Sequence, residues 1–191
     1  MSVSDHTKPA KKGIVLITGG ARSGKSKYAQ EQALELSPHP VYVATAKLYA
    51  NDEEFRQRIE RHRADRDDRW TSIEELFHVS KLPLENKTVV IDCVTLWLTN
   101  FFSFHKYDAE KSLKCIREEL DAIQKINARF FIISNELGMG LHAETEAGRK
   151  FTDLQGRVNQ HIAAIADKVI LMVSGIPVII KPQTPALKGD K

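Results

Sequence analysis

Short apolar runs recur along the chain and predict the strands of a sheet. Four of them are rich in β-branched or aromatic residues and nearly free of polar ones, a pattern typical of strands buried on both faces. These four are Gly13 to Thr18, Val41 to Ala44, Thr88 to Asp92 and Arg129 to Ser134. Two further runs, Val169 to Val173 and Ile176 to Ile180, are separated by Ser174-Gly175. This spacing predicts an antiparallel hairpin at one edge of the sheet, at its C-terminal end.

Segments with helical periodicity lie between the predicted strands. They are Lys25 to Leu36, Asp52 to Arg66, Thr95 to Phe102, Ala109 to Ile126 and Glu144 to Ala166. In the last segment, apolar residues recur at steps of three and four, which forms a stripe on one helix face. Asp67 to Asn86 follows neither period, so we predict less regular structure there. Strands that alternate with helices predict an α/β fold, a mostly parallel sheet flanked by helices.

The turn after the first predicted strand carries a phosphate-binding motif, GGARSGKS, which matches GxxxxGK[ST]. Glycines let backbone N–H groups wrap around phosphates, and the following helix presents its positive end to the same anion. Lys25 is expected on the β- and γ-phosphates, and Ser26 on Mg²⁺. Because a strand precedes the motif and a helix follows it, we predict a P-loop NTPase-type fold rather than a plain connecting turn. The predicted nucleotide-binding residues of this loop are Gly19, Gly20, Ala21, Arg22, Ser23, Gly24, Lys25 and Ser26.

A P-loop also needs a carboxylate on the metal side. Asp92 ends an apolar strand, the position typical of an acid that holds Mg²⁺ or one of its waters. We therefore predict Ser26 and Asp92 as the metal residues, although an aspartate at this place can also simply begin a turn. Glu136, which follows the strand RFFIIS, is the alternative carboxylate.

The helix predicted from Asp52 to Arg66 combines dense charge with one inward face. Residues Asn51 to Arg69 include six arginines and seven acids, a composition typical of a solvated helix with i,i+4 ion pairs. At 100° per residue, Phe55, Ile59 and His62 fall on one narrow face, so His62 is aimed toward the protein among arginines. Nearby positive charge favours the neutral, nucleophilic imidazole. On spacing alone, a structural His62 and a nucleophilic His62 both stay open.

The excess of positive charge lies at the two ends of the chain. The 191 residues carry a net charge of +3. Met1 to Lys12 and Lys181 to Lys191 each carry +2, so the body between them stands at −1. We expect one P-loop domain over residues 13–181, with flexible tails at 1–12 and 182–191. A body without net positive charge argues against a nucleic-acid partner.

The cysteines and the apolar segments predict the cellular compartment of the protein. Cys93 and Cys115 have no metal-ligand spacing, and two thiols form no disulfide framework, which fits a reducing compartment. The N-terminus lacks the apolar core of a signal peptide, and the longest apolar stretch is too short to span a bilayer. We therefore predict a cytoplasmic protein without a membrane span.

Seven sequence blocks and one tryptophan occur in a characteristic order. They are TGGARSGKS (Thr18 to Ser26), YVATA (Tyr42 to Ala46), RIERHRADR (Arg58 to Arg66), Trp70, IDCVTLWLTN (Ile91 to Asn100), NELGMG (Asn135 to Gly140), GRVNQ (Gly156 to Gln160) and ADKVILMVSGIPVIIK (Ala166 to Lys181). With the blocks in this order, the chain from about Ile14 to Lys181 resembles the CobU family. Members of this family are bifunctional adenosylcobinamide kinases and adenosylcobinamide-phosphate guanylyltransferases.

The resemblance implies two reactions of cobalamin biosynthesis. The aminopropanol hydroxyl of adenosylcobinamide is phosphorylated with ATP or GTP, and GMP is then transferred from GTP to adenosylcobinamide phosphate, which gives adenosylcobinamide-GDP and pyrophosphate. By the same resemblance, His62 becomes guanylylated and the chain assembles as a homotrimer. Besides the P-loop, the implied nucleotide-binding residues are Ala44, Thr45, Ala46, Arg63, Ala64, Asp65, Arg66, Glu74 and Asp92. Glu74 is further interpreted as a reader of the guanine base.

Three alternatives belong to other functional classes. The first is a single-function small-molecule P-loop kinase with a structural His62. The second is a GTP switch, which reads guanine through an NKxD element; the nearest string, Asn86-Lys87-Thr88-Val89, lacks the aspartate. The third is a nucleic-acid motor, which the body charge and the absence of interleaved aromatic and basic residues disfavour.

Overall fold

A seven-stranded sheet organises the chain. The structure, a computed structural model, describes residues 12–47, 53, 56, 57, 60, 63, 66–140 and 142–182. The strands are β1 Gly13–Gly19, β2 Val41–Ala44, β3 Thr71–Glu74, β4 Thr88–Asp92, β5 Arg129–Ile133, β6 Lys168–Val173 and β7 Ile176–Lys181. Their order is β3-β2-β4-β5-β1-β6-β7, and every neighbouring pair is parallel except β6–β7. The predicted α/β class and the antiparallel edge hairpin are confirmed.

Helices cover both faces of this sheet. Within the described residues, the α-helices with assigned bounds are α1 Lys25–Leu36, α2 Val94–Phe104, α3 Ala109–Lys125 and α4 Glu146–Ile165, and short 3-10 helices lie at Val79–Lys81 and Leu137–Met139. Residues 53, 56, 57, 60 and 63 also have helical backbone, as predicted for that segment. Asp108 and Thr145 cap α3 and α4, because their side chains accept hydrogen bonds from first-turn N–H groups.

Alternate side chains of the central strands enter two separate apolar layers. Val15 and Ile17 of β1 face α1, whereas Ile14 and Leu16 face α2, α3 and α4. Trp97 of α2 lies fully buried in the second layer. This two-sided burial explains why the strand sequences are continuous apolar runs rather than alternating patterns.

One strand lies where the sequence predicted less regular structure. Residues Thr71–Glu74 (TSIE) form β3, which pairs in parallel with β2 so that Ala44 lies opposite Glu74. The prediction for these four residues was wrong because the strand is short, largely exposed and contains one apolar residue, Ile73. Its pairing with β2 stabilises it, and no local period reveals such pairing.

Of the two predicted tails, the structure describes one residue each. Apart from Lys12 and Pro182, the two predicted tails lie outside the described residues. Lys12 donates from Nζ to the carbonyl oxygen of Lys125 at 3.1 Å. Among the helices of the described part, none combines the length and the apolar character that crossing a membrane requires.

Candidate functional site

The loop between β1 and α1 has the backbone shape of a phosphate loop. Gly24 immediately precedes α1 with φ 94°, a left-handed conformation that favours glycine. A side chain at Gly19, where φ is 144°, would meet the carbonyl oxygen of Met172 at 2.5 Å. Both glycines are therefore required, one by the turn into the helix and the other by the close approach of β6. No side chain caps α1, so its first N–H groups face the loop.

Lys25 folds back over this loop. Its Nζ donates to the carbonyl oxygens of Gly19 at 3.0 Å and Gly20 at 2.5 Å, and Ser23 Oγ lies at 3.4 Å. The residue is 7% exposed. A buried ammonium at the amino end of a helix is a strong attractor for phosphate oxygens.

Ser26 and Asp92 meet at the carboxyl edge of the sheet. Ser26 Oγ donates to Asp92 Oδ2 at 2.7 Å. This contact arises because α1 packs across β1, β5 and β4, which brings the first turn of the helix over the end of β4. Mg²⁺ prefers oxygen ligands and binds proteins through one or two carboxylates together with substrate phosphates. A hydroxyl and a carboxylate at this distance from each other fit such a site.

Tyr42 is a member of this cluster that the sequence analysis did not single out. Its hydroxyl donates to Asp92 Oδ2 at 2.7 Å. Burial, followed by the negative charge of Asp92, raises the pKa of Tyr42 well above its ordinary value, so the phenol stays a donor. Trp70 packs edge-on against the ring at 6.0 Å, and the guanidinium of Arg66 lies 3.9 Å from its centroid. The available signal was a phenol in the otherwise apolar strand VYVA.

Three predicted nucleotide-binding residues, Glu74, Ala44 and Asp92, lie side by side in one row across the ends of β3, β2 and β4. Ala44 is the register partner of both Glu74 and Asp92, so the ends of β3, β2 and β4 are adjacent. Thr45 follows directly, with its N–H donating to the carbonyl oxygen of Asp92 at 3.1 Å and its Oγ1 to that of Cys93 at 2.8 Å. Because Thr45 is fully buried, its side chain holds the strand ends together. Ala46, half-buried, comes next along the chain.

Two arginines of the charged segment lie over this row. Arg63 forms an ion pair with Glu74, and both side chains are about half exposed. Arg66 lies against Tyr42 and donates from Nε to Ser72 Oγ at 3.2 Å. The remaining predicted site residues of this segment, His62, Ala64 and Asp65, lie outside the described residues.

Glu136, the alternative metal carboxylate, has different partners. Thr18 Oγ1 donates to its Oε1 at 2.6 Å, and Asn159 Nδ2 donates to the same oxygen at 3.0 Å. Its backbone N–H donates to the carbonyl oxygen of Gly19 at 3.2 Å. The hydroxyl of Ser26 is thus hydrogen-bonded to Asp92, while Glu136 is held against the strand that carries the loop.

Asn100 is a second residue that the sequence analysis did not single out. It lies on α2, is 5% exposed, and donates from Nδ2 to the carbonyl oxygens of Thr45 at 2.8 Å and Leu76 at 3.0 Å. It therefore ties together the loops that follow β2 and β3. The available signal was an asparagine within the otherwise apolar run of α2.

The site combines a glycine-containing phosphate loop, a mostly parallel sheet and a hydroxyl–carboxylate pair beside the loop. These features define a P-loop nucleotide-binding protein. The family model described as CobU, cobinamide kinase / cobinamide phosphate guanyltransferase, matches residues 15–180. The chain belongs to the CobU family and is an enzyme of that class, which confirms the resemblance found in the sequence.

Two curated relatives cover most of the chain. The bifunctional adenosylcobalamin biosynthesis protein CobU of Escherichia coli K12 is 37% identical over 185 residues, spanning 88% of this chain and 99% of the relative. The bifunctional adenosylcobalamin biosynthesis protein CobP of Pseudomonas aeruginosa PAO1 is 37% identical over 171 residues, spanning 87% and 96%. Among solved structures, the flagellar accessory protein FlaH of Methanocaldococcus jannaschii superposes with a TM-score of 0.47 at 15% identity, over 91% of this chain and 80% of that one.

Proposed function

We propose that this chain carries out two successive reactions of cobalamin biosynthesis. It phosphorylates adenosylcobinamide with ATP or GTP, and then transfers GMP from GTP to adenosylcobinamide phosphate, with adenosylcobinamide-GDP and pyrophosphate as products. The curated relatives are named as bifunctional proteins of this biosynthesis, which supports both steps. We also propose a cytoplasmic location, which is consistent with an enzyme that uses ATP and GTP.

The observation that carries the proposal is the grouping of polar side chains at one edge of the sheet. The P-loop and the Ser26–Asp92 pair lie at this edge, and so does Glu74 with its partner Arg63. A single nucleotide site would then combine a loop that binds the phosphates, a carboxylate on the metal side and a carboxylate on the side of the base. Such a site suits an enzyme that uses nucleoside triphosphates twice. In this proposal, the residues at positions 19–26, 44–46, 63–66, 74 and 92 bind the nucleotide.

Ser26 and Asp92 are the residues that would hold Mg²⁺. Bound there, the ion would neutralise negative charge on the phosphates. Tyr42 contributes by fixing the carboxylate of Asp92 through its hydrogen bond, and Lys25 contributes a further positive charge on the side of the loop.

Guanylyl transfer is proposed to proceed through His62. The imidazole attacks the α-phosphorus of GTP, the bond to the bridging oxygen breaks, and pyrophosphate leaves. A phosphate oxygen of adenosylcobinamide phosphate then attacks the guanylyl phosphorus, and the P–N bond to His62 breaks. The positions of Arg63 and Arg66 over the strand ends support this assignment, because guanidinium groups there would neutralise charge on the oxygens of the phosphoryl group under attack.

Labelling with GTP that carries ³²P at the α-phosphate tests this assignment. The native protein should acquire an acid-labile, base-stable label, as expected for a P–N bond, and His62→Ala should acquire none. His39→Ala is the matched control, since His39 is exposed and precedes β2 at the opposite end of the strand. A native protein that phosphorylates adenosylcobinamide but never becomes labelled would instead be a single-function kinase.

A homotrimer is the proposed assembly, and the exposed β6–β7 hairpin supports an association between copies. Five of its apolar side chains are exposed by 46–65%, and an edge strand of this kind pairs readily with another chain. The residues concerned are Val173, Ile176, Val178, Ile179 and Ile180. Light scattering should give the mass of a trimer for the native protein and of a smaller species for Ile176→Lys/Ile179→Lys. A native monomer would contradict the assembly.

A further inference from the structure

Glu136 lies beside the phosphate loop at the carboxyl edge of the sheet. It follows β5, and β5 lies between β1 and β4, so Glu136 stands between the strand of the phosphate loop and that of Asp92. Its N–H donates to the carbonyl oxygen of Gly19, which also accepts from Lys25 Nζ. Because a P-loop lysine contacts the β- and γ-phosphates of a bound nucleotide, the backbone of Glu136 is anchored on the side of the loop where those phosphates would bind.

One oxygen of the Glu136 carboxylate is fixed, and the other is available. Oε1 accepts hydrogen bonds from Thr18 and Asn159, whereas Oε2 receives none from the described residues. Asn159 is held in turn, since its Oδ1 accepts hydrogen bonds from Ser134 Oγ at 2.6 Å and Gln155 Nε2 at 3.0 Å. These supporting residues are buried, while Glu136 is half-buried. The carboxylate is therefore rigid and still accessible.

The two proposed reactions differ in what their nucleophiles require. In the kinase step the nucleophile is an alcohol, which loses a proton as it bonds to phosphorus. In the second reaction the nucleophiles are the imidazole of His62, which attacks through a lone pair, and then a phosphate monoester, which is already an anion. Asp92 is engaged by Ser26 and Tyr42, and Glu74 is paired with Arg63. Glu136 is the remaining carboxylate of the site as described above.

We propose that Glu136 is the general base of the kinase step, an inference that rests on the proposed two-reaction function. The substrate hydroxyl oxygen bonds to the γ-phosphorus while the bond from that phosphorus to the β–γ bridging oxygen breaks. The nucleoside diphosphate leaves, and the hydroxyl proton passes to Oε2 of Glu136 and then to water. Thr18 and Asn159 act as positioning residues that hold the carboxylate.

Separate assays of the two half-reactions test the proposal. Glu136→Gln keeps the volume and the acceptor oxygen but removes the base. With adenosylcobinamide and ATP, its kcat should fall by about 10²-fold or more while KM changes little. Labelling with α-³²P GTP and transfer of GMP to supplied adenosylcobinamide phosphate should persist. Glu144→Gln, an exposed change near the start of α4, is the matched control and should keep native kinase activity.

Other outcomes would overturn the proposal. Native kinase activity in Glu136→Gln, or an equal loss of both half-reactions, would assign Glu136 to loop structure instead. Glu136→Asp, which keeps a carboxylate, is the second variant and should be at least about ten times faster than Glu136→Gln in the kinase step; equal rates would also contradict a base. Failure of the proposed function itself is recognised separately, because the native protein would then form neither the phosphorylated product nor the label.

Discussion

Asn100 connects the loop that begins with the predicted nucleotide contact Thr45 to the loop that follows Glu74 at the end of β3, and its replacement should destabilise both loops. In Asn100→Ala, both hydrogen bonds from Nδ2 are lost, at 2.8 Å and 3.0 Å. Thr45 is fully buried, so water does not replace the missing donor there. The loop after β3, which includes Leu76, is half-buried and is affected less.

The expected magnitude follows from these two contacts. A hydrogen bond contributes about 0.5–1.5 kcal/mol net, and a buried carbonyl left without a donor costs about 1–3 kcal/mol. With one carbonyl in a buried residue and one in a half-buried residue, the free energy of unfolding should fall by roughly 2–4 kcal/mol. For a chain of this size, Tm shifts by about 2–4 °C per kcal/mol, so we expect a decrease of about 5–15 °C.

Urea and thermal unfolding of three variants measure the effect. Asn100→Leu keeps the side-chain volume without the donors and should be nearly as unstable as Asn100→Ala. Thr99→Ala is the matched control on the same helix, because it removes a local hydrogen bond to the carbonyl oxygen of Thr95 at 2.8 Å. Its cost should stay below about 1 kcal/mol.

Two results would refute this reasoning. If Asn100→Leu recovered most of the native stability, packing volume rather than hydrogen bonding would explain the role of the residue. If Asn100→Ala cost no more than Thr99→Ala, the two carbonyls would not depend on the amide.

Three further predictions concern stability and ionisation. Gly13→Ala should lower the free energy of unfolding by roughly 2–4 kcal/mol, because φ is 147° and the new Cβ would lie 2.0 Å from Asp167 Oδ2. Gly156→Ala, whose new Cβ would meet nothing within 4 Å, should raise the free energy of unfolding by roughly 0.5–1 kcal/mol. Burial, with the charge of Asp92, raises the pKa of Cys93 to about 12, so a thiol reagent at pH 8 should modify it only after unfolding. Since the pKa of Tyr42 is raised in the folded state, its contribution to stability should be complete below the ordinary tyrosine pKa and be lost as the pH rises above it; alkaline spectrophotometric titration of native protein and Tyr42→Phe checks this.

Local chemistry made the phosphate loop predictable. Its function requires glycine at positions 19 and 24, a lysine and a hydroxyl at fixed spacing, and the flanking strand and helix are apolar or periodic enough to be recognised. Which of Asp92 and Glu136 lies next to Ser26, and so is better placed as the metal carboxylate, was not predictable in the same way. Both follow buried strands, and what separates them is the path of α1 across the sheet, which brings Ser26 to β4.

Pairing between distant segments limited the rest of the prediction. The four residues of β3 have no strand signal of their own, yet their register with β2 aligns Glu74 with Ala44 and Asp92. Tyr42 and Asn100 were missed for a related reason. Each is a single polar group in an apolar element, and its role is defined by partners in other elements: Asp92 for the phenol, and two loop carbonyls for the amide.

The order of the strands offers a reason why one site would serve the two proposed reactions. Glu136 follows β5, and the arginines next to His62 lie over β2 and β3, at least two strand spacings or about 10 Å away. On the proposed assignments, the base acts at the γ-phosphorus and the histidine at the α-phosphorus of a nucleotide held by the same loop. Each reaction then has its own residue, and we expect adenosylcobinamide phosphate to be released between them. An equal mixture of Glu136→Gln and His62→Ala should therefore convert adenosylcobinamide to the GDP product, whereas the double variant should not.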